Sequence, residues 1–164
     1  MILPTNALSS NDSVFERLLR LEGVQLGAGA TEAELSEAEK KLQLTFSGGY
    51  RAFLIRFGWM RFQREEVFGL GADVPPELDL VSVTQRERTR APPQLRREFT
   101  PVKYDGWGNF LCLAPLRPHE KEARVVLWEK EEGAQQVPEE LAGSFGAFLS
   151  AVLDEIQEEV AASS

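Results

Sequence analysis

The 164-residue sequence has one cysteine, Cys112, and one histidine, His119. A single cysteine excludes an intramolecular disulfide and any cysteine cluster able to hold zinc. A single histidine leaves no pair to ligate a metal, and any catalytic triad would have to run through His119. No apolar run approaches the ~20 residues that a membrane-spanning helix requires. The first basic residue is Arg17, so the start lacks the charged segment and apolar stretch of a secretory signal. The closing Val160-Ala161-Ala162-Ser163-Ser164 carries no lipidation signal. Together these absences predict a cytoplasmic protein with no cofactor, no metal and no membrane partner. No internal repeat and no low-complexity segment is present either.

The chain does carry an ordinary globular composition, with 43% hydrophobic and 27% charged residues. A single domain near this size buries roughly two-thirds of the surface that its unfolded chain exposes. We expect residues 1–10 to form a flexible tail and residues 11–160 a single domain. Twenty-six acidic residues against 18 basic ones leave a net charge of −8. That balance disfavours direct nucleic-acid binding, which needs a basic face to meet phosphate. The excess is uneven. Residues 104–164 hold 12 acidic and four basic side chains, whereas residues 51–103 hold seven acidic and 10 basic. A solvated, solubilising face is the ordinary reading of such an acidic stretch. The same stretch can steer a basic partner.

Spacing and punctuation predict the elements. Asn11, Asp12 and Ser13 offer caps before Val14, Phe15, Leu18, Leu19 and Leu21, a helical pattern that Gly23 can end. Gly27-Ala28-Gly29-Ala30 reads as a linker. Thr31 and Glu34 form a capping-box pair before a helix with Leu35, Ala38 and Leu42 on one stripe. After Phe46-Ser47-Gly48-Gly49, the positions Tyr50, Phe53, Leu54 and Phe57 recur at core-helix spacing, and the two helices are expected to pack as a hairpin. Val67-Phe68-Gly69-Leu70 reads as a short strand. Residues 80–90 fit a strand or a helix. Residues 99–104, 110–113 and 125–128 read as strands, with Asp105-Gly106-Trp107-Gly108-Asn109 as a hairpin turn. Ser144 caps a last helix carrying Phe145, Phe148, Leu149, Val152, Leu153 and Ile156. Helices first, strands next and one closing helix make an α+β fold with a central, mainly antiparallel sheet.

Few residues offer chemistry. His119 lies in a polar stretch between two strands, with no Gly-x-Ser-x-Gly elbow in the chain to accompany it. Cys112 falls inside an apolar strand, where a thiol is structural rather than reactive. Gly69-Leu70-Gly71 lacks the third glycine and the βαβ frame of a dinucleotide site. Arg86, Arg88 and Arg90 would share one face of an extended strand, with Arg96 and Arg97 nearby. Pairing with the protein's own carboxylates is the simpler role for them. Glu129, Glu131 and Glu132 follow Trp128 at a strand end, suited to pairing with a basic partner. Trp59 fits a helix–sheet junction. Trp107, at the centre of the turn, is either an exposed binding anchor or a ring folded back over the sheet.

Four segments then read together. They are Thr31-Glu32-Ala33-Glu34-Leu35 with Glu39-Lys40-Lys41-Leu42; Tyr50-Arg51-Ala52-Phe53-Leu54 through Phe57-Gly58; Phe99-Thr100-Pro101 through the Asp105-Gly106-Trp107-Gly108 turn to Leu113; and Val125-Val126-Leu127-Trp128-Glu129 followed by Leu141-Ala142, Ser144-Phe145 and Phe148-Leu149. In this order they resemble the SUKH superfamily, named partly after a yeast cell-wall-assembly regulator, over residues 31–153. The resemblance implies an α+β domain with no enzymatic activity and no catalytic residue. It also implies that Tyr50, Phe53, Leu54, Trp128, Phe145 and Phe148 are core. Many bacterial members are immunity proteins that bind and neutralise a toxin, often one directed at nucleic acid; other members are regulatory or scaffolding modules. On this basis the expected partner is a cognate protein toxin domain, and Asp105, Trp107, Asn109, Glu129, Glu131 and Glu132 are the expected partner-binding residues.

Overall fold

The computed structural model describes residues 10–90 and 93–164. Residues 1–9, most of the expected tail, lie outside the described residues. The helices are α1 (Ser10–Leu19), α2 (Glu32–Leu42), α3 (Gly48–Arg56), α4 (Leu80–Thr89) and α5 (Phe145–Ala162). The strands are β1 (Gln25–Leu26), β2 (Met60–Phe62), β3 (Glu65–Val67), β4 (Thr100–Tyr104), β5 (Phe110–Leu113), β6 (Val125–Trp128) and β7 (Glu139–Ala142). They form two antiparallel sheets, β1-β2-β3 and β4-β5-β6-β7. The fold is α+β, closed by a C-terminal helix.

Local chemistry sets the helix starts. The Thr31 hydroxyl accepts from the Glu34 N–H and the Glu34 carboxylate accepts from the Thr31 N–H, both at 3.1 Å, so two orphan donors of α2 are satisfied reciprocally. The Ser144 hydroxyl accepts from the Ala147 N–H at 3.1 Å and opens α5. Helix α3 has no side-chain cap from Ser47. Glu122, distant in sequence, supplies a carboxylate that accepts from the Gly49 N–H at 3.1 Å. Anionic oxygen at a helix N-terminus is favoured by the helix dipole as well as by the hydrogen bond.

The helical stripes meet in an aromatic core. Tyr50, Phe53 and Phe145 lie within 6.1 Å of one another by ring centroid, with Phe15 packed edge-on to Phe57 at 5.3 Å. Helices α1, α3 and α5 share this core, while α2 packs on α4 and α4 on β4. Arg17 of α1 reaches Asp154 at 2.7 Å and Ser150 at 2.9 Å on α5. The expected α2–α3 hairpin is therefore corrected. The apolar stripe of α2 is used by α4 and that of α3 by α1 and α5, with the Arg51–Glu32 ion pair bridging α2 and α3 at the surface.

Three further expectations change. Asn11, Asp12 and Ser13 lie inside α1, which starts at Ser10 and ends at Leu19, before Gly23. Of residues 80–90, expected as strand or helix, Leu80–Thr89 form a helix: the Asp79 carboxylate accepts from the Ser82 N–H at 3.2 Å, and Leu80 and Val83 turn inward. On a helix Arg88 points away from Arg86 and Arg90, so no three-arginine face exists. Arg86 reaches the Tyr104 hydroxyl and Glu87, while Arg88 donates to the carbonyls of Leu42 and Arg97. Finally, the strand expected over residues 67–70 ends at Val67. The next backbone groups are spent on several elements at once: Phe68 N–H on Val102 O, Gly69 N–H on Leu78 O and Leu70 N–H on Gly58 O. Val102 lies at a register shift of β4, and this bond, with the Lys103–Glu65 ion pair, ties the end of β3 to the second sheet. The Phe68 carbonyl takes the buried Tyr50 hydroxyl at 2.7 Å. A Cβ on Gly69 would sit 1.5 Å from the Gly58 carbonyl oxygen, so only glycine fits there.

Candidate partner-binding site

One end of the four-stranded sheet carries the residues expected to bind a partner. The β4–β5 hairpin turns at residues 105–109, where the Asp105 N–H donates to the Asn109 carbonyl at 3.1 Å. The Asp105 carboxylate then accepts from the Trp107 N–H at 2.7 Å and the Asn109 N–H at 3.0 Å. Burial pushes this carboxyl up, but those hydrogen bonds together outweigh it and hold it below the usual aspartate range. Gly106 and Gly108 flank the tip at φ +89 and +93, a left-handed region that side chains disfavour.

This frame drives Trp107 outward. Its relative exposure is 89%, against 8% for Trp59 and 1% for Trp128. The alternative of a ring folded over the sheet is thereby excluded. Trp59 instead packs at the junction with its indole N–H donating to Asp73 at 3.1 Å.

Pairing of β5 with β6 places Phe110 opposite Trp128, so the chain leaving β6 emerges beside the hairpin tip. Residues 130–132 form one 3-10 turn. Gln136 clamps that segment: its amide oxygen accepts from the Glu129 N–H at 3.0 Å, and its amide nitrogen donates to the Glu129 carbonyl at 2.7 Å and the Gly133 carbonyl at 2.8 Å. Asn109 joins the two loops by accepting from the Lys130 N–H at 3.1 Å. Trp107, Asn109, Glu129, Glu131 and Glu132 line a common open hollow of about 420 Å³. Asp105 does not line it but fixes the backbone of the tip.

Reasoning from the sequence missed Lys130. Its side chain lies over the Phe110 ring at 4.9 Å and meets the nearly buried Glu87 carboxylate of α4 at 3.5 Å. The three glutamates around it carry no such tie, and all three are exposed. The hollow thus offers a rigid, apolar indole beside net negative charge. That arrangement suits a basic protein surface, since an aromatic anchor supplies contact area at low entropic cost and charge complementarity raises the association rate.

The remaining candidates are dispersed. Cys112 is fully covered, and burial pushes its thiol up. His119 lies on the exposed β5–β6 loop at φ +72. Among the described residues no group of three or more His, Cys, Asp or Glu side chains is placed to hold a metal ion, and no helix is long and apolar enough to cross a membrane.

An α+β domain of this element order, with Tyr50, Phe53, Leu54, Trp128, Phe145 and Phe148 all in its core, is the architecture that the four sequence segments implied. A family model described as SMI1-KNR4 cell-wall (SUKH_5) matches residues 12–154. The chain belongs to the SUKH family. No curated protein matches the sequence.

Proposed function

We propose that this chain is a cytoplasmic immunity protein. It binds a cognate toxin domain, one that acts on nucleic acid, and occludes the toxin's basic surface without catalysing a reaction itself. The observation that carries the reading is Trp107, held almost fully in water by a hydrogen-bonded turn next to three free glutamates. Exposed tryptophan on a rigid frame is typical of a binding hot spot. Family membership supports the reading, since the resemblance to the superfamily implies that many bacterial members are immunity proteins. The acidic last third of the chain suits a partner whose own ligand is polyanionic.

The test is capture from native lysate on immobilised protein at low and high salt, followed by mass spectrometry. A basic toxin domain retained at low salt and weakened by high salt is expected. Trp107→Ala combined with Glu131→Lys weakens that capture while leaving the thermal midpoint unchanged. Unchanged capture by the double variant rejects this surface. The family description, with its reference to the cell wall, favours a second reading as a regulatory or scaffolding module. Retention of cell-wall or signalling components in place of a toxin moves the assignment there.

A further inference from the structure

A second hollow lies elsewhere, at the C-terminal ends of α2 and α4, against residues 94–97. It measures about 470 Å³, within the range of small-molecule sites. Lys41, Arg88, Arg96 and Arg97 line it, with amide and hydroxyl groups from Gln85, Gln94 and Thr89 and an apolar wall from Leu95 and Ala134. None of the described lining residues is acidic, in a chain that has eight more acidic than basic residues.

Two of the four cations are neutralised nearby. Lys41 pairs with Glu37 at 3.0 Å and Arg96 with Glu98 at 2.7 Å. Arg88 and Arg97 are not: among the described residues neither has a carboxylate within ion-pair distance. Arg88 uses two of its nitrogens on the backbone carbonyls of Leu42 and Arg97, at 2.7 and 2.8 Å, and its Nε is buried with no partner. The first of these bonds satisfies a carbonyl at the end of α2 and the second one in the 94–97 segment, yet neither carbonyl brings formal negative charge. Burial, and then the neighbouring Arg97 charge, push the Arg88 guanidinium below its usual range, as expected for two cations facing each other without a counter-ion.

We infer that this cleft is a binding site for the phosphate group of a small phosphorylated molecule. Guanidinium forks match phosphate oxygens in geometry as well as charge. Lys41 adds a point charge at the rim, and Gln85 and Gln94 add neutral donors. The hollow has room for more than a bare ion, and its apolar contact is limited to Leu95 and Ala134, so the phosphate carries most of the recognition. The site is separate from the Trp107 surface and does not depend on the toxin-binding reading.

The experiment is a titration of the ¹⁵N-labelled full chain with pyrophosphate, with AMP and with a phosphoserine peptide, followed by amide shifts. Saturable shifts at Thr89, Leu95 and Arg97 with pyrophosphate and AMP are expected, weakening with salt. Arg97→Ala, at an exposed position, lowers the AMP affinity about tenfold, the loss of one charge-assisted contact. Lys41→Ala on that background lowers it further, and both variants keep the parent thermal midpoint. Shifts that never saturate, or an affinity unchanged by the double variant, overturn the site. Tighter binding of the phosphoserine peptide than of AMP overturns the small-molecule assignment.

Discussion

Trp107 presents its indole to water while Trp59 and Trp128 are covered, so a single substitution isolates it. Trp107→Ala is expected to remove the acrylamide-quenchable part of the native fluorescence and to leave stability within about 0.5 kcal/mol, since the ring packs on nothing that folding buries. Gly69 is the opposite case. A methyl group there must displace the Gly58 carbonyl, which also accepts from Leu70. Gly69→Ala is expected to destabilise the domain by about 3 kcal/mol or more, measured by urea unfolding, because backbone held by several elements cannot yield. The hairpin tip was legible at this scale: Asp-Gly and a flanking tryptophan are local signals. Lys130 was not, because nothing between two glutamates marks a lysine whose ammonium turns inward to Glu87. Nor was the cation cleft, since Lys41 and Arg97 meet only through packing.

At the scale of elements, helices with their own caps were readable and elements defined by distant partners were not. Ser144→Ala is expected to cost about 1 kcal/mol in urea unfolding through loss of the bond to the Ala147 N–H. Ser47→Ala, at the start of α3, is expected to cost much less, because that helix takes its anionic cap from Glu122. The same contrast explains the strands. Residues 110–113 and 125–128 are apolar runs buried in the middle of the sheet, and their limits match the sequence pattern. Strand β7 reads Glu-Glu-Leu-Ala at the sheet edge with three of its four residues exposed, so it has no alternation to detect. Leu141 and Ala142, just before the Ser144 cap of the closing helix, are the end of this strand. Strands β1 and β2, of two and three residues, are too short for periodicity to show.

For the molecule as a whole, burial of ionisable groups sets an alkaline limit. The core holds the Tyr50 phenol and the Cys112 thiol in their neutral forms, and burial pushes both above their ordinary values of 10.0 and 9.0. A folded-state value above the unfolded one means that the native state binds more protons at high pH. That contribution is complete below pH 9.0 and is lost as pH rises beyond the ordinary values of the two groups. Urea midpoints are therefore expected to fall steadily above about pH 10 with no matching loss near neutrality from these two groups. Cys112 should react with a thiol reagent at the rate of unfolding, not at the rate of an exposed thiol.

The turn that holds Trp107 has one more consequence, which concerns how freely its central side chain can vary. Its shape comes from the Asp105 carboxylate and from two glycines around which a Cβ would meet nothing within 4 Å. The residue between them contributes no packing. The side chain at position 107 can therefore be exchanged without cost to the fold, and on the proposed toxin-binding reading the turn is a rigid mount on which successive contact residues can be tried.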